Sequence, residues 1–355
     1  MKIPFHVDCS QPSVSRYLLP VACYLLPVCL TSCQSERLQV HEFTGFIMGT
    51  TYSVLINAEE LPLSRQRLQT EFNTILNRVN MEMSPYLRES ELSQINDADS
   101  TGWLSVSTSL MHVLQAAQDI SRATQGAFDV TVGPLINLWG FGPEQVFTVP
   151  TETQISAVLR LVGHEKLRMD PAASAVKKAY GGMRINLSAI AKGYGVDEIA
   201  ERLDQLQLDN YLVEIGGEIR ARGVNDKNRP WQIGIEQPLT GQREVRRIIR
   251  LDNSAMATSG DYRNYFEHEG SRYSHTIDPR TGRPVTHALA SVTVLHPSTM
   301  LADAWATGLL VLGPEEGLEL ARQNSLTAFF IIHEDGGFRE ESTPAFKPYF
   351  VGDRL

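Results

Sequence analysis

The clearest pattern along the chain is a β-branched and aromatic alternation over residues 43–56, interrupted by Gly45 and Gly49. A period of two predicts strand, and the glycines mark a tight approach between two strand pieces. The period then lengthens. Leu68, Phe72, Ile75, Leu76 and Val79 recur at helical spacing behind Ser64, a capping residue type, and Leu110, Val113, Leu114, Ala117 and Ile120 place a second helix over residues 109–124. Glycine and proline punctuate residues 126–150, so 126–135 reads as loop, short strand and loop.

Residues 185–187 predict a brief strand running into a helix over 188–206. Strands follow at 211–215, 231–236 and 246–251, then an apolar run at 290–295 and a helix over 300–312. Several strands come as neighbours without a strict βαβ rhythm, which favours an α+β fold over a doubly wound sheet. No internal repeat or low-complexity linker divides the chain.

The amino-terminal pattern differs from everything after it. Arg16 precedes an apolar run over residues 17–30, which Pro20 and Pro27 interrupt. That run is too short for a comfortable membrane span but suits a signal peptide. It ends in Leu30-Thr31-Ser32-Cys33, similar to the bacterial lipobox, in which the cysteine is diacylated after cleavage. The organisation expected is a lipoprotein signal peptide over 1–32, a tether over 33–42 and one catalytic domain over 43–355. Cys33 would anchor the exported protein to a bacterial membrane, facing the periplasm, since two acyl chains hold stably where one does not.

Composition narrows the function. All four cysteines lie at or before position 33 of the 355 residues, so the body of the protein has no thiol for a disulfide or a zinc site. The net charge of −9 is spread without a Lys/Arg cluster, which argues against nucleic acid as a partner. An anionic ligand must therefore be met by local groups.

Three constellations could do so. Asp303 and Thr307 are four residues apart, so a helix projects both oxygens from one face in an apolar surround. A hard cation such as Mg²⁺ suits that pair; a helix cap and a hydroxyl bonded back to a carbonyl suit it as well. Asn186 to Gly195 passes from strand to helix through small residues, where free N–H groups and Lys192 would favour phosphate, although the P-loop pattern is absent. Asp278-Pro279-Arg280-Thr281-Gly282 is a turn signal that would hold His275 beside a loop, as a general base or as a structural histidine.

Met48-Gly49-Thr50, Met83-Ser84-Pro85-Tyr86, Gly126-Ala127-Phe128-Asp129, Asn186 to Gly195, Ile215-Gly216-Gly217-Glu218, Ser259-Gly260-Asp261-Tyr262, Ser274 to Pro284 and Asp303 to Thr307 occur in this order. Together they resemble the ApbE family of FAD:protein FMN transferases over nearly the whole chain beyond the signal stretch. The resemblance implies a tunnelling-type α+β fold with mixed or antiparallel sheets flanked by helices, FAD as donor, and Mg²⁺ as cofactor. It also implies transfer of FMN to a Thr or Ser in a small-residue motif of a membrane redox protein. Position by position, Met48, Tyr86, Ala127, Phe128, Asp129, Asn186, Lys192 and Ile277 match flavin-nucleotide contacts, and Ala189, Asp303 and Thr307 match metal ligands. The family pattern allows a further acidic residue just before the threonine, where this chain has Ala306. His275 is the expected base, with Asp261 as orienting or alternative base. Two other activities share these residues: hydrolysis of FAD to FMN and AMP, and flavin binding without turnover.

Overall fold

Each of the eight strands of the central sheet pairs antiparallel with the next one in the chain, and the excursions between them carry the helices. The computed structural model describes residues 38–239, 244–261 and 265–352; the signal stretch, Cys33 and Tyr262 of the sequence motifs lie outside them. The strands are β1 (Gln39–Ile47), β2 (Thr50–Ala58), β3 (Tyr211–Ile215), β4 (Glu218–Arg222), β5 (Ser254–Gly260), β6 (Leu289–His296), β7 (Thr327–Glu334) and β8 (Gly337–Ser342). The α+β class expected from the pattern is therefore observed, and its sheet is antiparallel throughout.

Four helices cover one face: α1 (Arg65–Met83), α2 (Thr108–Ala123), α3 (Ala191–Gln205) and α4 (Thr299–Gln323). Side chains alternate across the strands, so both faces are buried. Val54, Val213 and Ile215 pack under α1 and α3 against Phe72, Leu76 and Ile199. Their neighbours Leu212 and Ile219 point the other way, into a layer closed by Trp231, Ile249 and Phe346. Among the described residues no helix is long and apolar enough to cross a membrane.

Local departures from the expected elements have local causes. β1 starts at Gln39, inside the stretch read as tether, because Gln39 to Glu42 pair with Leu55 to Ala58; an edge strand with polar alternation looks like a tether in sequence. Residues 185–187 form no strand. The side chain of Asn96 takes the place of a ladder partner, accepting from Ile185 N at 2.6 Å and donating to Ile185 O at 2.8 Å. Val130–Val132 is a 3₁₀ turn rather than a strand, since the Asp129 carboxylate caps it by accepting from Thr131 N at 2.8 Å. The helix expected over 300–312 continues to Gln323, with Gly313 at φ 83° forming a kink where the expected helix ended.

Candidate active site

Loops and element ends converge on a cavity of about 800 Å³, a size ordinary for a small-molecule site. One rim is the turn between β1 and β2, where Met48 (φ 51°) and Gly49 (φ 74°) both adopt left-handed backbone, the arrangement a two-residue hairpin needs. Met48 lines the cavity there. Ala127, Phe128 and Asp129 line it from the loop after α2. Asp129 is buried, and burial raises its pKa against the opposing bonds from Thr131, whose hydroxyl donates to Oδ1 at 2.6 Å.

The floor is the start of α3. Asn186 turns the chain by accepting from Ser188 N at 2.9 Å, and Ala189 follows at the cavity wall. A helix begins at Ala191, later than the sequence suggested. Gly193 sits where any Cβ would meet the Thr299 carbonyl oxygen at 2.4 Å, so a glycine is what lets α3 and α4 approach closely. The Gly193 N–H then donates to Asp303 Oδ2 at 3.2 Å across that contact. Asp303 does cap a helix, but a neighbouring one.

Three charged groups meet in this crevice. Lys192 Nζ lies 3.0 Å from Glu218 Oε2 and 3.7 Å from Asp303 Oδ2. Glu218 is 4% and Asp303 3% exposed, so both carboxylates have lost nearly all their water. Burial is the larger influence on each: it pushes Glu218 up to about 8 and raises Asp303, while Lys192 pulls both back. Burial would lower the Lys192 pKa, yet the two carboxylates together raise it. With both acids ionised, the trio carries one net negative charge.

That surplus is what a cation would offset. Among the described residues no three His, Cys, Asp or Glu side chains form a metal cage. The oxygens at hand are the two carboxylates, the Thr307 hydroxyl and the backbone at Ala189, all on the cavity wall. This hard, incomplete donor set fits Mg²⁺, which takes one or two carboxylates and completes its shell with phosphate and water. Thr307 Oγ1 is held by Ser259 Oγ at 2.9 Å, at the end of β5.

His275 and Ile277 line the same cavity, His275 edge-on to Phe141 with ring centroids 6.3 Å apart. The expected turn below them forms: Gly282 N donates to Asp278 O at 2.8 Å, and Trp139 Nε1 ties it to the opposite loop through Gly282 O at 2.8 Å. Two expected residues are not on the wall. Tyr86 is exposed in a turn that Ser84 sets by accepting from Tyr86 N at 3.2 Å, and Asp261 lies just past the wall residue Gly260, with Oδ1 buried and without a hydrogen-bond partner among the described residues. Glu218, which the sequence offers only as the last residue of the Ile215-Gly216-Gly217-Glu218 segment, belongs at the centre of the site. Its signal was available: a glutamate directly after two glycines that end an apolar strand.

The model of the ApbE family matches residues 48–330. The chain is 44% identical over 335 residues to the FAD:protein FMN transferase of Vibrio cholerae, spanning 94% of this chain and 98% of that one. It is 45% identical over 324 residues to the Haemophilus influenzae protein of the same name, spanning 90% and 93%. The solved flavin transferase ApbE from Vibrio cholerae superposes with a TM-score of 0.82 at 43% identity, over 88% of this chain and 99% of that one. The apo form of the Pseudomonas stutzeri flavinyl transferase ApbE gives 0.82 at 39% identity, over 89% and 98%.

Proposed function

Since this chain belongs to the ApbE family, we propose that it transfers FMN from FAD to a Thr or Ser hydroxyl of an acceptor protein with release of AMP, in a Mg²⁺-dependent reaction. The observation that carries this reading is the pair of buried carboxylates sharing one lysine on the wall of a dinucleotide-sized cavity. A bound Mg²⁺, held by Asp303, Thr307 and the Ala189 backbone, would supply Lewis-acid polarisation and charge neutralisation at the diphosphate. Lys192 adds a point charge toward the same phosphates.

The acceptor hydroxyl attacks the FMN-side phosphorus; a new P–O bond forms as the P–O bond to AMP breaks. His275 receives the hydroxyl proton, and AMP leaves as the anion. Ile277, Phe128 and Met48 supply apolar surface for the flavin ring, while Asp129 and Asn186 offer oxygens to ring or ribose edges. Cys33, in the lipobox-like stretch, would tether the enzyme to a membrane in which redox acceptor proteins sit.

Hydrolysis of FAD would use the same groups with water as nucleophile. Mass spectrometry of a Thr-containing acceptor incubated with the protein, FAD and Mg²⁺ separates the two. An acceptor heavier by one FMN, with AMP formed in equal amount, is the outcome expected; FMN and AMP free in solution with an unmodified acceptor would replace transfer by hydrolysis. AMP absent under all divalent ions would reduce the protein to a flavin carrier.

A further inference from the structure

A third buried carboxylate joins the same three elements that carry the two acids of the charged centre. Lys192, Glu218 and Asp303 come from α3, β4 and α4. Five residues along α3 from Lys192 lies Asp197, 7% exposed. Its Oδ1 accepts from Thr299 N at 3.0 Å, Thr299 Oγ1 at 2.8 Å and Arg220 Nη1 at 2.9 Å. Its Oδ2 accepts from Ser298 Oγ at 2.8 Å and Met300 N at 3.0 Å. Arg220 is two residues beyond Glu218 on β4, and Met300 is three residues, nearly one turn, before Asp303 on α4.

We infer that Asp197 is a positioning residue for the metal and diphosphate grip. Its carboxylate pins the first turn of α4 to α3 and β4, and so sets where Asp303 stands relative to Lys192 and Gly193. Three features carry this. Four of the five donors are backbone or short side-chain groups, so the tie is rigid rather than a flexible surface pair. The helix N-terminus adds a favourable dipole to a carboxylate already bonded there. Gly193 shows that the two helices touch at backbone distance, so a shift of α4 along α3 changes the Gly193–Asp303 contact directly. Ser298 alone could cap α4, as it does by accepting from Leu301 N at 3.3 Å, but that bond lies within α4 and fixes nothing across elements.

This inference rests on the metal-dependent reading above, and its test tells the two apart. The full chain is titrated with Mg²⁺ in the presence of FAD, and the rise in Tm and the transfer rate are followed for wild type, Asp197→Asn, Thr299→Val and Phe346→Ala. Asparagine keeps the shape and removes the charge; valine deletes one donor from a buried position; Phe346 packs on the far face of the sheet, away from the cavity. Asp197→Asn is expected to raise the half-saturating Mg²⁺ concentration by about 10–100-fold, the range typical when a group supporting a metal ligand is lost. Thr299→Val should raise it less, and Phe346→Ala should lower Tm with no change in half-saturation.

A Tm fall in Asp197→Asn and Thr299→Val with wild-type half-saturation would make Asp197 a stability residue only and overturn the inference. Should Asp197→Asn fail to fold, Thr299→Val decides by the same criterion. No response of wild type to Mg²⁺ by either readout would overturn the metal-dependent reading itself.

Discussion

Asp197 and Asp303 are buried carboxylates on facing helices, yet their surroundings are opposite. Asp197 receives five donors, and its charge is spent within the fold. Asp303 receives one backbone N–H and stands 3.7 Å from a lysine that is closer to Glu218. A satisfied carboxylate holds elements together; an under-satisfied one, kept dry beside another acid, is a place prepared for a ligand. The same α3–β4–α4 junction therefore does both tasks, one layer for geometry and one for chemistry.

The contrast breaks most sharply at Asp303. Asp303→Ala should reduce FMN transfer by at least about 10²–10³-fold, the scale for loss of one preorganised electrostatic group. Its Tm without metal should hold or rise, because removal of one acid leaves Lys192 and Glu218 a neutral pair. Steady-state rates and a thermal melt on the same preparation check both halves.

Lys192→Met tests the other sign. It leaves two acids buried without their cation, a change that costs about 3–5 kcal/mol when a buried partner is removed. Chemical denaturation at pH 8 should show that loss. Added Mg²⁺, or a pH low enough to protonate the acids, should restore most of it.

The smallest effect is in the pH dependence of the unaltered protein. Glu218 has an ordinary value near 4.5 and sits near 8 in the fold, so the folded state binds the extra proton and the unfolded state releases it first. Stability from this group is complete below about pH 4.5 and is lost as pH rises through about 8. The Tm of metal-free protein should decline by a few degrees between pH 5 and 8.5, with a shallower decline in Glu218→Gln. Equal slopes in the two proteins would remove Glu218 from the account.

What the sequence disclosed and what it hid divide along the same line. Asp303 and Thr307 were legible because a helix fixes their spacing without any tertiary knowledge, and the turn around Asp278 and Gly282 was legible because its residue types demand it. Met48 and Gly49 were legible as an interruption in alternation. Glu218 and Asp197 were not, because their meaning depends on partners 23 to 103 positions away on other elements. Residues 185–187 looked like a strand because their apolar pattern is strand-like, while the group that satisfies Ile185 is an asparagine side chain from a distant helix. Tyr86 carries a stacking ring by type, but Ser84 turns the chain and leaves that ring in solvent.

The central claim is that Asp303, supported by Glu218 and Lys192, is half of a divalent-cation site completed by the diphosphate of FAD. Calorimetric titration of Mg²⁺ into the FAD-loaded protein tests it directly. Saturable binding that vanishes in Asp303→Asn and without FAD is the result predicted; equal Mg²⁺ affinity in wild type and Asp303→Asn would contradict it.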